Sequence, residues 1–600
     1  MAQKRSPNLS PLFFIKWFSM GACCLWLGAA LSACSSSPEE TTNLLEGVYI
    51  VSFDKNGGDT EANPQSKVVE PPITTVDVLP QAPTREGHRF MGWNTEADGS
   101  GQPFTAHTLV RESLTVYAQW ELRFGVEVSP VSKMLTPIMN GAYSERSTSF
   151  AVVVSGFNSE DDKDSTRLSI TPMEEGLSIE VNDYSTAQSK VFNINVVYDG
   201  TTAFPSGSAT LRLALSVPSS YGYGGETTTI AIRDGQEKNR AIPVGRANIE
   251  AFNAYANTAD GRILHYRLSG NIVLPPPVNL LNWTPIGNTS TPFMGSFEGN
   301  NFSISGLSIH AESSSYQGLF GAIGQDAEIA NLGLLDLNVT GYGYVGALVG
   351  RNAGTVHNCS ATGNIVGSGS NVGGLVGYNA NTATVQNSYA TGSVNSSATG
   401  SVYVGGLVGN NYGTVQNSYA TGSVNSSGNY VGGLVGNHYG TVQNSYATGN
   451  VEGNSRVGGL VGINYSSVQN SYATGSVNSS GNYVGGLVGR NFNPGTIHDS
   501  LALNPRVIGT ADVGRVTGES TAADSLSGNY AFSGMRNSAG NTTWPNIGGN
   551  NIDGAQRTAV VLQAASGFPG TFSSTPWTYA AGRLPGLFGQ TVAMPEHLLP

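Results

Sequence analysis

Side-chain catalysis needs titratable groups that converge, and this sequence offers few places where they can. From Gly341 to Ser500 the only acids are Glu452 and Asp499; the cations are Arg351, Arg456 and Arg490, joined by His357, His438 and His498. Glycoside hydrolysis needs two carboxyl groups flanking one bond, and no pair here is spaced for it. Glu298, Asp326, Glu328 and Asp336 are closer together in the chain, but nothing in their spacing makes them converge. A carbohydrate-active or proteolytic site, the alternative reading, therefore falls to the irregular stretch 262–340 or to the C-terminal segment 521–600. Neither HExxH nor GxSxG occurs, and GYGYVG (341–346) matches GxGxxG without a βαβ setting. The charged run 159–164 reads as a solvated loop and Asp98-Gly99-Ser100-Gly101 as a turn. His357 and His498 take the same slot in separate repeats, so they do not form a metal pair. Cys359 stands where other repeats have Ser388, with no flanking cation to activate it, and reads as a small buried side chain. The expectation is no catalytic residue, no metal and no cofactor.

One series remains. Tyr389, Tyr419, Tyr446 and Tyr472 recur in the phrase NSYATG. If Ser388 and Ala390 point inward, the Tyr between them points outward, and its equivalents line one face. Such a row is either a structural ladder of stacked rings or an exposed strip that binds sugar rings or apolar partner surfaces.

The element that must position them is a repeat. VGGLVG-like words begin at Val345, Val372, Val404, Val431, Val457 and Val484, about 27 residues apart and stretching to about 32. Each is followed by a turn such as NNYG and a phrase such as TVQNSYATGSV. A unit this short buries its apolar face only by stacking on copies of itself. Its Gly load and β-branched runs exclude helical repeats. Parallel coils at about 4.8 Å each give a β-solenoid, with Val385, Ser388, Ala390 and Val394 inward and a bend at Asn387. Asn358, Asn387, Asn417, Asn444 and Asn470 then form a corner ladder ended by Asp499. The words closely resemble the GLUG motif of large bacterial surface proteins, which implies a right-handed β-solenoid over 245–520 and a C-terminal cap over 521–600. The stretch 246–261, with Ile249, Phe252 and Tyr255 on one side, reads as a helix covering the N-terminal end.

Two modules precede it. Over 122–244, short alternating strands such as FAVVVSGF and VFNINVVYDG suggest an Ig-like β-sandwich. Over 47–121, GVYIVSFDKNGG, PTREGHRFMGWNTEADGSG and TVYAQWE place Phe90, Trp93, Tyr117 and Trp120 in a small core. These phrases resemble the Listeria–Bacteroides (internalin B-type) repeat, which implies a small β-grasp surface module. The expected class is all-β.

The N-terminus carries an address. Lys4, Arg5 and Lys16 precede an apolar run (17–31), then Leu31-Ser32-Ala33-Cys34. This resembles a bacterial lipobox, implying a signal peptide over 1–33, a lipid anchor at Cys34, a tether over 34–46 and, with Ser35 following, the outer membrane. A formal net charge of −12 argues against nucleic acid. Together these features favour a non-enzymatic surface lipoprotein, an adhesin or display rod held to the membrane at Cys34 and taking host glycans or proteins as partners.

Overall fold

The computed structural model describes residues 48–70, 72–130, 134–135, 147–157, 159–173, 175–187, 189–198, 207–218, 221, 226–521 and 524–600. Cys34, the signal segment and the tether lie outside the described residues. No helix among the described residues is long and apolar enough to cross a membrane. The chain forms two units, one ending at Arg123 and one beginning at Phe124.

In the first unit, strand Tyr49–Asp54 pairs in parallel with Leu114–Leu122 inside a mixed five-stranded sheet. Its alternation puts Val51 and Phe53 inward, where Phe53 meets Trp93 edge-on at 5.0 Å. Phe90 packs against Trp93 and Trp120. Tyr117 instead sits outside this core: Val116 and Ala118 fill it, and a strand alternates sides. The resemblance implied a β-grasp; among its described residues the 70–87 connection contains no helix.

The second unit starts as a sandwich of two four-stranded sheets. Phe150, Val152, Val154, Phe192, Ile194 and Val196 face Leu211, Leu213, Ile230 and Ile232 across its core. The run 159–164 forms a short helix, Glu160–Ser165, rather than a loop. Ser159 Oγ caps it by accepting from Asp162 N, and three acids sit in the first turn, where the helix dipole favours them.

The protein is mostly β, with a solenoid of about 10 turns over the repeat region. Three parallel sheets of eleven, twenty-one and eight strands form its sides. Like pairs with like: Val385 with Val415, Tyr389 with Tyr419, Val394 with Val424. Val385, Ser388, Ala390 and Val394 are all buried, and the corner residues Asn358, Asn387, Asn417, Asn444, Asn470 and Asp499 all adopt positive φ. Glycine at the second position of GG is required by close approach. A Cβ on Gly406 would lie 2.1 Å from Gly433 O in the next coil.

Strands run from Ile242–Val244 to Ala555–Arg557, and past residue 520 the strands Leu526–Ser527, Tyr530–Phe532 and Ala555–Arg557 still pair in parallel with the stack. The helix Ile249–Ala256 buries Ile249 and Phe252, and Phe252 packs on Tyr266, Trp283 and Phe297 of the first coils.

Candidate binding faces of the solenoid

The four NSYATG tyrosines stack as their spacing requires. Ring centroids are 4.7, 4.7 and 5.0 Å apart from Tyr389 to Tyr472, with planes within 8° of parallel. They do not form an open strip. The C-terminal segment after Arg557 returns along this side: Trp577 lies against Tyr446 and Tyr472, Phe572 against Tyr472, and Phe588 against Tyr389 and Tyr419. The Tyr472 hydroxyl donates to Pro585 O at 2.7 Å. Tyr446 is 5 % exposed and Tyr472 0 %. The binding-face reading is thus corrected at these two rungs, because their outward sides are already occupied; Tyr389 and Tyr419 are half-buried. Trp577 packs along this flank of the coils, and Phe588 sits on the same flank, 42 % exposed.

A second aromatic column is open. Tyr316, Tyr344, Tyr378, Tyr412, Tyr439, Tyr465 and Phe492 form an unbroken series with centroid spacings of 4.6, 5.7, 5.6, 4.7, 4.4 and 5.3 Å. Tyr412, Tyr439 and Phe492 are 37 %, 41 % and 37 % exposed. Beside it, Tyr403 packs on Tyr430 at 5.2 Å, and Arg456 lies over both Tyr430 and Tyr483. Arg490 lies over Tyr483 and Phe492, and Arg351 over Tyr378. All three arginines of the 341–500 stretch therefore sit on this one face. Arg490 is paired with Glu519; among the described residues Arg351 and Arg456 have no carboxylate partner. Stacked rungs such as Tyr439 and Tyr465, 1° apart, hide their ring faces and offer edges and hydroxyls. Tilted rungs, Tyr378 at 53° and Phe492 at 58°, turn out of the stack, and these are the rings that Arg351 and Arg490 lie over. Burial among neighbours pushes the Tyr412 and Tyr439 phenols up, so they remain hydroxyl donors. Tyrosine with arginine is the composition of interface anchors. Their signal stood in the turns after each Gly word, NNYG, NHYG, NYSS and RNFN; read as turn chemistry, it concealed a column.

Inside the coils runs a ladder that the repeat pattern did not reveal. The Asn352 amide donates to Asn379 at 2.8 Å, Asn379 to Asn411 at 2.7 Å, and Asn464 to Asn491 at 2.7 Å, all fully buried. His438 replaces one rung, 3.1 Å from Asn411 Nδ2, and its burial pushes the imidazole down to about 4. Cys359 occupies the serine slot and accepts no charge there: burial pushes its thiol up to about 12.

Of Glu298, Asp326, Glu328 and Asp336, the fold brings two together. Glu298 and Glu328 line one cleft of about 460 Å³ with Lys238, Arg267, Asn301 and Asn331. Asp326 and Asp336 are exposed elsewhere. Glu328 accepts from His357 Nε2 at 2.8 Å and from Lys238; both hold its carboxyl below the usual carboxylate range, so it is no proton donor near neutrality. Glu298 accepts from Asn300 N at 2.6 Å and from Asn331 Nδ2 at 3.0 Å on both oxygens.

Residues 49–119 match the family model of the Listeria-Bacteroides repeat domain. Segments 341–366, 368–395, 400–425, 427–452 and 453–478 match the GLUG motif. Over 146 residues the chain is 33 % identical to Halomucin of Haloquadratum walsbyi, covering 24 % of this chain and 2 % of that protein. Over 81 residues it is 40 % identical to a Gly-rich membrane protein of Evansella cellulosilytica, 13 % of this chain and 9 % of that one. The chain thus spans a small fraction of these curated relatives.

Proposed function

We propose that this chain is a non-enzymatic surface protein: a lipoprotein anchored at Cys34 to the outer membrane, whose solenoid is a binding and display rod, an adhesin for glycan or host-protein ligands. The observation that carries the reading is the open Tyr/Arg face from Tyr316 to Phe492 on a solenoid otherwise poor in charge. Both matched relatives have names in keeping with a cell-surface or membrane setting. On a glycan and extracellular-matrix array, the full-length chain is expected to retain a ligand. The Tyr412→Ser/Tyr439→Ser/Tyr465→Ser variant is expected to lose it while keeping a β-rich circular dichroism spectrum. An array that stays blank for the wild type counts against the reading. The anchor has its own test: Cys34→Ser should move the protein from the membrane to the soluble fraction, and a variant that stays membrane-bound and processed overturns the anchor.

The alternative, an enzyme with its site in 262–340, has one observation in its favour, the shared cleft of Glu298 and Glu328. Hydrolysis by two carboxyl groups requires one of them protonated, and Glu328, paired with Lys238 and His357, is kept ionised.

A further inference from the structure

The cleft has an origin in the register of the coils. One outward column of the eleven-stranded sheet reads, coil by coil, Arg267, Glu298, Ala330, His357, Gln386, Gln416, Gln443, Gln469 and His498. Between Pro243 on the first strand and Ser527 on the last, every rung but one carries a long polar side chain, and Gln416 Nε2 donates to Gln386 Oε1 at 2.8 Å. Ala330 is the exception. Truncating that rung to a methyl group leaves a notch beside Glu298, and the cleft lies there, with Ala330, 2 % exposed, at its floor.

What lines the notch is arranged for a ligand rich in both donors and acceptors. Arg267 and Glu298 are register partners on adjacent strands, yet no bond joins them. Glu298 is held by Asn300 and Asn331 instead, and it terminates an amide relay in which Asn358 donates to Asn331 at 2.8 Å. Among the described residues the Arg267 guanidinium and the Asn301 side-chain amide have no hydrogen-bond partner. Two cations, Lys238 and Arg267, face two carboxylates, Glu298 and Glu328, so the lining is formally neutral. An anion there meets two carboxylates and a cation meets two basic groups; a neutral polyol meets neither penalty. Vicinal hydroxyls can donate to Glu298 and accept from Arg267, while Asn301 does both. The volume lies in the range of small-molecule sites.

We infer that the Ala330 notch is a saccharide subsite that takes a neutral pyranose unit of a glycan, through Arg267, Glu298 and Asn301. The inference deepens, and rests on, the reading of the chain as a glycan-binding rod. It adds a site at the N-terminal coils, separate from the Tyr/Arg face. Ala330→Gln restores the residue that the column repeats and fills the notch with the side chain its neighbours already carry.

The test is saturation-transfer NMR and calorimetry on the full-length chain with maltotriose, cellotriose, mannotriose and xylotriose, and with trigalacturonate and triglycine as charged and zwitterionic probes. At least one neutral trisaccharide should bind the wild type. Ala330→Gln should weaken it about tenfold or more with an unchanged melting temperature, and Glu298→Gln should weaken it by a similar factor, the worth of a charge-assisted hydrogen bond. The Tyr412→Ser/Tyr439→Ser/Tyr465→Ser variant should bind it as the wild type does. Failure of every neutral trisaccharide, preference for trigalacturonate or triglycine, or unchanged binding by both notch variants overturns the inference. If the tyrosine variant loses the sugar while Ala330→Gln keeps it, the notch is overturned and the binding-rod reading stands.

Discussion

Two tyrosine ladders grow from one repeat and end in opposite circumstances. Tyr446 and Tyr472 stack 5.0 Å apart beneath Phe572 and Trp577; Tyr439 and Tyr465 stack 4.4 Å apart in contact with water. Coil spacing produces the stacking in both. Only the returning C-terminal segment separates them, making the first ladder part of the core and leaving the second as a surface. A periodic aromatic series therefore specifies a column, and its role follows from what crosses it.

That contrast breaks most visibly at the cover. Phe572 is 1 % exposed against the dry ladder; Phe572→Ala should cost about 3–5 kcal/mol in denaturant unfolding, the range for emptying a buried aromatic site. A cost under about 1 kcal/mol would mean that the segment rests loosely on the ladder.

Next comes the dry interior between the two faces. His438 is pushed down to about 4 while an unfolded His titrates near 6.5. The unfolded chain thus takes up this proton first as pH falls. Stability unaffected above about pH 6.5 should decline through that window, by about 3 kcal/mol once pH is below about 4. His438→Asn restores the residue of the inner ladder and should remove this component of the pH dependence. An unchanged profile in urea melts at pH 7, 5.5 and 4.5 would assign the acid sensitivity to other groups.

A smaller difference separates individual rungs. Tyr472→Phe leaves the Pro585 carbonyl without its donor at a fully buried position and should cost about 1–3 kcal/mol. Tyr439→Ser, on the wet ladder, forfeits ring stacking and a half-exposed hydroxyl contact with Tyr465 and should cost about 1 kcal/mol, with its larger effect on ligand retention. Equal costs for the two would erase the distinction between core and surface ladder.

Much of the fold was legible because its rules are local. Strand parity sends Val385, Ser388 and Ala390 inward, and Asn tolerates the positive φ that the corner at Asn387 requires. The Asn387 series was visible for that reason, whereas the inner series Asn352, Asn379 and Asn411 was read as turn polarity, since the turn words do not say which amide faces in. The open aromatic column was hidden in the same words. Two positions shift along it, from Tyr344, ahead of its Gly word, to Tyr412, behind one, so no single slot spells it out.

By itself the sequence determined the solenoid, its coil period, its inward residues and its stacked tyrosines, because each follows from a short motif repeated at constant parity. Tertiary structure alone decided which ladder is covered and which acids share a cleft. Tyr472 meets Pro585 across 113 residues, and Lys238 meets Glu328 across 90. Those encounters join segments that carry no common period, so they arise from how the folded chain returns upon itself and leave no pattern in the order of residues.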